Sequence, residues 1–191
     1  MSNEDRPDIN IATTSTLSME ALAAELRQVG KVSFGEKYPH PFLKVNAFRK
    51  SKSGFIEPRT MILQRKHKSE SVDSAESVTE EPSETRTLCI PLVKSNRNAY
   101  GAKVTLGRAR NNDIVIRASR VSKLHCVFVP QADGNYHLMD MGSFNGTKAN
   151  GSRLEKNEPV TLKTGDEIEF CRYAFEYFNA QDFIEELRRM P

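Results

Sequence analysis

The sequence is organised around Thr105–Gly151, which reads TLGRARNNDIVIRASRVSKLHCVFVPQADGNYHLMDMGSFNGTKANG. It contains three short signatures: Leu106 to Arg108, running on to Asn112–Ile116, then Arg120 to His125, then Asp140 to Thr147, closed by Asn150-Gly151. Each signature places polar or cationic residues beside an apolar run with strand character. Binding residues are often carried by loops that a rigid sheet positions. The stretch therefore predicts a β-sheet domain with a binding site on its loops.

From Thr87 onward the sequence alternates between short apolar runs and polar turns. The runs are Leu88–Val93, Lys103–Leu106, Asp113–Ile116, Leu124–Val129, Tyr136–Met139, Thr147–Ala149, Val160–Leu162, Glu167–Phe170 and Tyr173–Phe178. Many short strands at close spacing predict an antiparallel β-sandwich. A short helix is expected after them, over about 181–189, with Phe183, Ile184 and Leu187 on its apolar side.

The motifs together resemble the forkhead-associated (FHA) domain, a module that binds phosphothreonine peptides. Gly-Arg, Ser-x-x-His, Ser-x-Asn-Gly-Thr and Asn-Gly occur in the family's order, and Gly165-Asp166 completes the pattern between about Leu88 and Phe178. The resemblance implies an all-β fold, an eleven-stranded antiparallel β-sandwich with its binding loops at one end. It also implies a phosphothreonine-containing protein partner, a Ser/Thr kinase upstream, no cofactor and no catalysis.

Four residues match the family's contact positions for the phosphopeptide. Arg108 offers a planar guanidinium that suits phosphate oxygens, Ser122 offers a hydroxyl donor and Lys123 a second charge. Asn145 carries both a donor and an acceptor, so it can bind the peptide backbone beside the phosphorylated residue. The family also implies a small pocket for the threonine methyl group, which selects against phosphoserine.

Two further positions are expected to contact the ligand. Arg120 lies where family members can reach the third residue after the phosphothreonine, so an acidic preference there is an expectation. Phe144 departs from the family, because many members carry a hydroxyl residue at this position that adds a phosphate contact. Either fewer donors hold the phosphate, or the ring packs against the peptide. The residues expected to support the loops are Gly107, His125, Gly146, Thr147 and Asn150.

The chain divides into four segments by composition. Residues 1–68 form an N-terminal extension with one short amphipathic helix over 19–29, capped by Ser18 and ended by Gly30. Residues 69–86 are expected to be an acidic, disordered linker, and 181–191 a C-terminal helix. The resemblance implies an FHA domain over 87–180. Within the extension, Phe34–Leu43 is expected to be extended because of its two prolines, and 42–48 to form a weak hairpin with 61–63.

Composition argues against several other classes of protein. A net charge of +3 is too small to argue for nucleic acid, no apolar run is long enough to span a membrane, and no secretory signal is visible. The three cysteines each lie in an apolar run, which predicts buried thiols in a reducing, cytoplasmic compartment. Neither the cysteines nor the histidines have zinc spacing, so no metal site is expected.

Two alternative functions stay open. A scaffold with the same fold could bind proteins without phosphate, and Phe144 favours that possibility. The basic block 44–68 could bind nucleic acid or an anionic surface. Ser122 and His125 could be read as a nucleophile and its base, but no oriented acid follows in a recognisable motif. Residues 146–152 match the phosphate-binding pattern Gly-x4-Gly-x-[Ser/Thr] only loosely, and they lack the Walker lysine.

Overall fold

The fold is a β-sandwich with a pair of helices packed on one outer face. A computed structural model describes residues 16–49, 55–56, 87–171 and 173–191. Their strands are β1 (Leu17–Ser18), β2 (Phe42–Arg49), β3 (Phe55–Ile56), β4 (Leu88–Pro91), β5 (Val104–Gly107), β6 (Ile114–Val115), β7 (Cys126–Pro130), β8 (Tyr136–Asp140), β9 (Thr147–Ala149), β10 (Ser152–Arg153), β11 (Val160–Thr161), β12 (Glu167–Phe170) and β13 (Tyr173–Phe178). The helices are α1 (Met19–Lys37) and α2 (Ala180–Arg189).

The predicted all-β sandwich with two helical segments is confirmed. One sheet has the order β1-β4-β2-β13-β12-β9-β10, with β3 also paired to β2, and the other has the order β11-β8-β7-β5-β6. The described residues form thirteen strands rather than eleven, because the two-residue strands β1 and β3 add to the larger sheet. The pairing between these strands is antiparallel except between β5 and β6.

The main core lies between the two sheets, because alternate side chains of each strand point inward. In β12, buried Ile168 and Phe170 alternate with half-buried Glu167 and Glu169. Buried residues from both sheets meet there, among them Leu43, Ile90, Phe175, Leu106, Phe128 and Leu138. Each such side chain contributes about 1.5–3 kcal/mol when it leaves water, so this core fixes the strands from which the loops emerge.

Strand β2 lies in the middle of the larger sheet, between β4 and β13. Leu43 is opposite Ile90 on one side and Tyr177 on the other. The sequence assigned residues 1–68 to an extension outside the domain, but residues 42–49 are a central strand of the sandwich. The hairpin partner of β2 is β3, whereas 61–63 and the acidic linker over 69–86 lie outside the described residues.

The two helices form a second core on the outer face of the larger sheet. Phe42 stacks on Phe183 of α2, with ring centroids 3.9 Å apart and planes inclined by 13°. Met19, Leu26 and Phe34 of α1 are buried in the same cluster. Strands β2, β4 and β13 are therefore covered on both faces.

Helix α1 is longer than the predicted segment over 19–29. Ser18 caps it as predicted, since its Oγ accepts a hydrogen bond from the Ala21 amide. Gly30 interrupts it at φ 80° and ψ 163°, but the chain turns back into helix as far as Lys37. The extended backbone predicted from Phe34 therefore begins only after Lys37. Phe34 is buried in the helical cluster, and this burial stabilises the helical segment that follows Gly30.

Lys44, the first residue of the basic block, forms ion pairs within the domain. Its Nζ lies 2.9 Å from Glu186 Oε1 and 3.7 Å from Glu176 Oε2. Most of the remaining block lies outside the described residues. No helix in the described part of the chain is long and apolar enough to cross a membrane.

We predict that residues 87–191 do not fold without the upstream segment. This fragment lacks β2, so β4 and β13 lose their common partner, and it lacks α1, which supplies half of the helical core. Circular dichroism should show no cooperative thermal transition for 87–191 and a cooperative one for the matched fragment 16–191. Equal melting temperatures would show that β2 and α1 are dispensable.

Candidate functional site

Three loops at one end of the sandwich surround an open depression of about 370 Å³. The β5–β6 loop, the β6–β7 loop and the β8–β9 loop all contribute to its walls. The lining residues are Arg108, Ser119, Arg120, Val121, Ser122, Phe144 and Asn145. Five of the six predicted contact residues are thus brought together. Lys123 is exposed but is not among the lining residues, and Ser119 and Val121 were not predicted.

Gly107 brings the β5–β6 loop into contact with the β6–β7 loop. The Arg108 amide donates to the Ser122 carbonyl at 2.9 Å, and the Ala109 amide donates to the Lys123 carbonyl at 3.1 Å. A Cβ atom at position 107 would lie 2.3 Å from the Lys123 carbonyl oxygen. Only glycine permits this approach, so Gly107 sets Arg108 beside Ser122.

The Ser122 side chain is oriented by the β8–β9 loop. Its Oγ accepts a hydrogen bond from the Phe144 amide at 3.0 Å. The Ser122 amide in turn donates to Nδ1 of His125 at 3.3 Å. Because a hydroxyl has one hydrogen to donate and two lone pairs, Ser122 keeps its hydrogen for a ligand oxygen in the depression.

His125 is fully buried beneath this loop. Since its Nδ1 accepts the Ser122 amide hydrogen, the neutral ring carries its proton on Nε2. Burial lowers the pKa of His125, although the Asp140 carboxylate favours the protonated form. The imidazole contacts the Ser122 backbone and not its hydroxyl, so it does not activate a serine nucleophile.

Asn145 joins the β8–β9 loop to the β6–β7 loop. Its Nδ2 donates to the Arg120 carbonyl at 2.6 Å, which leaves Oδ1 available in the lining of the depression. The Cys171 thiol donates to the same carbonyl at 3.0 Å. Cys171 is exposed, so the prediction of three buried cysteines is wrong for this one. It lies in the turn after β12 at φ 56°, where the inward alternation of the strand has ended.

Asp140 organises the β8–β9 loop and was missed by sequence reasoning. Its carboxylate accepts hydrogen bonds from the Ser143 amide at 2.8 Å, from Ser143 Oγ at 2.6 Å and from Thr147 Oγ1 at 2.6 Å. Burial favours its neutral form, but the bonds from Ser143 and Thr147 outweigh burial and lower the pKa of Asp140. Thr147 therefore braces the loop through a buried anion.

Asp113 plays the same part for the β5–β6 loop and was also missed. It accepts hydrogen bonds from the Thr105 amide and hydroxyl at 2.8 and 2.9 Å, from the Ser95 amide at 2.8 Å, and it pairs with Lys94 at 3.1 Å. Burial opposes ionisation, yet the hydrogen bonds from Ser95, Thr105 and Asn98 hold the pKa of Asp113 well below the ordinary aspartate value. The sequence signal that could have identified Asp113 is its position between the Asn111-Asn112 turn and the apolar run that begins at Ile114.

The other predicted support residues lie next to the site rather than in it. Gly146 has φ 76°, and a Cβ there would lie 2.6 Å from Cζ of Arg153, so the guanidinium packs on its backbone. Asn150 has φ 50° and holds the β9–β10 turn against β12: its Nδ2 donates to Asp166 at 2.8 Å and its Oδ1 accepts from the Glu167 amide at 2.9 Å.

The model of the FHA domain family matches residues 104–171, which include all three loops of the depression. The chain carries an FHA domain. The transcriptional regulatory protein EmbR of Mycobacterium tuberculosis is 36% identical over 76 residues, 40% of this chain and 19% of EmbR. The oxoglutarate dehydrogenase inhibitor of Corynebacterium diphtheriae is 38% identical over 69 residues, 36% of this chain and 46% of the inhibitor.

A solved FHA domain is also similar to this chain. The N-terminal FHA domain of S. cerevisiae Rad53p, in complex with a phosphothreonine peptide, is 25% identical with a TM-score of 0.43, and the match covers 57% of this chain and 93% of that domain. The chain spans only about a fifth of the length of EmbR. The similarity to these proteins thus concerns the FHA domain and not their remaining parts.

We predict that the FHA domain loses stability as the pH falls below 6.5, the ordinary pKa of histidine. The folded-state pKa of His125 is lower, so between these two pKa values the unfolded chain binds a proton that the folded chain does not. His40, whose pKa is also lowered by burial, acts in the same direction. Chemical denaturation at a series of pH values should show this fall, and NMR should give His125 a pKa below 6.5. A pKa at or above 6.5 would contradict the prediction.

Proposed function

We propose that the FHA domain of this chain binds proteins phosphorylated on threonine and acts as an adaptor downstream of a Ser/Thr kinase. The observation that carries this proposal is the convergence of Arg108, Arg120, Ser122 and Asn145 on one depression whose described lining contains no acidic side chain. The relatives support it, because the Rad53p domain was solved with a phosphothreonine peptide and EmbR with a phosphopeptide.

The groups in the depression match the chemistry of a phosphorylated side chain. Phosphothreonine carries nearly two negative charges and three strong acceptor oxygens at neutral pH. Arg108 and Arg120 supply two guanidinium groups, and each guanidinium can donate two parallel hydrogen bonds to phosphate oxygens. The Ser122 hydroxyl adds a neutral donor, and the Asn145 Oδ1 can accept a peptide amide. Loop hydrogen bonds already hold the Ser122 and Asn145 side chains and the backbones of Arg108 and Arg120, so little backbone order has to be created on binding.

The same geometry argues against an enzymatic role for these residues. A serine nucleophile needs a base within hydrogen-bond reach of its hydroxyl. Ser122 Oγ instead accepts from the Phe144 amide, and the nearest imidazole, that of His125, accepts the Ser122 amide hydrogen. We therefore propose that this domain binds its partner without changing it chemically.

A phosphate-independent scaffold is the second candidate, and Phe144 is the observation that favours it. The side chain of Phe144 is 90% exposed at the wall of the depression and offers no donor to a phosphate. A library of phosphothreonine peptides, with matched phosphoserine and unphosphorylated peptides, decides between the two on the full chain. Binding that requires phosphothreonine supports the proposed function. Equal binding of unphosphorylated peptides supports the scaffold.

We predict that Arg108→Ala weakens binding of a phosphothreonine peptide by roughly ten- to a hundredfold. A hydrogen bond to a charged group is worth ~1.5–3 kcal/mol, and ~1.4 kcal/mol corresponds to a tenfold change in affinity. The melting temperature should stay nearly constant, because the Arg108 side chain is exposed. Isothermal titration calorimetry measures the affinity.

The matched control is Arg117→Ala, which removes an exposed arginine that follows β6 and does not line the depression. It should reduce affinity by no more than about twofold, the effect of a screened surface charge. Equal affinities of Arg108→Ala and wild type would remove Arg108 from the binding site. Equal losses for both variants would indicate general electrostatic attraction only.

A further inference from the structure

Phe144 is the most exposed large apolar side chain among the described residues. Its side chain is 90% exposed, compared with 75% for Val32 and less than half for the other three of this kind. Single exposed apolar residues need no special explanation on a protein surface. Phe144, however, forms part of the wall of the depression, next to Arg120 and Asn145.

The backbone beneath the ring is fixed rather than free. The Phe144 amide donates to Ser122 Oγ, the preceding Ser143 is held by Asp140, and the following Asn145 donates to the Arg120 carbonyl. Loop anchoring on both sides means that the position of the Cβ atom is set before any ligand arrives. A ligand that contacts the ring therefore has no loop to order, which preserves the gain from apolar contact.

The ring does not serve the phosphate. A phenyl group has no hydrogen to donate, and the amide of the same residue is already committed to Ser122 Oγ. The other lining side chains are cationic or polar, except for Val121, which is only 1% exposed. Phe144 is thus the one substantial apolar surface that the described lining offers to a ligand.

We propose that Phe144 is a specificity-determining residue that packs against an apolar side chain flanking the phosphothreonine. This inference rests on the proposed function and names the ligand class more narrowly: a threonine-phosphorylated segment with a leucine-like or aromatic residue near the phosphorylated position. The charged and polar residues hold the phosphate, and the ring selects among phosphorylated segments.

The test is a leucine scan of an otherwise alanine-based phosphothreonine peptide, with the single leucine moved through the positions on either side. Calorimetry on the full chain compares wild type, Phe144→Ala, Phe144→Leu and the control Val32→Ala, whose side chain is on α1 and does not line the depression. Wild type should prefer leucine at one position by about five- to tenfold, the size of a partly buried apolar contact.

The variants assign that preference to the ring. Phe144→Ala should bind the leucine peptide no better than the alanine peptide, because the apolar contact that distinguishes the two peptides is gone. Phe144→Leu should keep most of the preference, and Val32→Ala should keep all of it. A leucine preference that survives in Phe144→Ala, or that is absent from wild type at every position, overturns the inference.

Two further outcomes are distinguishable. If wild type binds the phosphorylated and unphosphorylated forms of every peptide equally, the proposed function fails, and this inference fails with it. If light scattering shows that wild type self-associates, Phe144→Ala does not, and peptide preferences are the same in both, the ring is a contact between copies. That result leaves the proposed function intact and overturns only the inference about Phe144.

Discussion

The site depends on the close approach of Gly107 to the carbonyl of Lys123. That approach allows the amides of Arg108 and Ala109 to reach the carbonyls of Ser122 and Lys123. Two loops that follow different strands are thereby joined, and both Arg108 and Ser122 line the depression. A side chain of any size at position 107 would separate them, because the obstructing atom belongs to the backbone and cannot rotate away.

Two buried carboxylates extend this rigidity to the rest of the depression. Asp113 and Asp140 each sit at the base of a binding loop and accept hydrogen bonds mainly from neutral amides and hydroxyls. An ionised group surrounded by donors holds those donors in a defined arrangement. Both negative charges are buried within the loops, so the exposed surface of the depression keeps its cationic character.

The sequence predicted the parts of the domain that local patterns specify. The strands from β4 onward, except the two-residue β10, and the loop motifs follow from apolar alternation and turn residues within a few positions of each other. The position of β2 could not be predicted, because its neighbours β4 and β13 are far away in the chain and its alternation is short. The part of α1 after Gly30 was not predicted, because a glycine at this position is typical of a helix end. Burial of Phe34 in the helical cluster stabilises that part, and this burial depends on tertiary packing. For the site, the motif residues were predicted, but Asp113, Asp140, Ser119 and Val121 were not, since their roles depend on which loops meet in space.

The central position of β2 has a consequence for how the domain forms. Phe42 pairs with Phe178, so the registry of the larger sheet is completed only by contacts between its first long strand and its last. Such pairing closes a loop that contains the other sheet, which places the domain among slow-folding topologies of high contact order. During synthesis, β2 exposes the edge that pairs with β13 until β13 has left the ribosome, and an open edge of this kind is a site of mispairing with other chains.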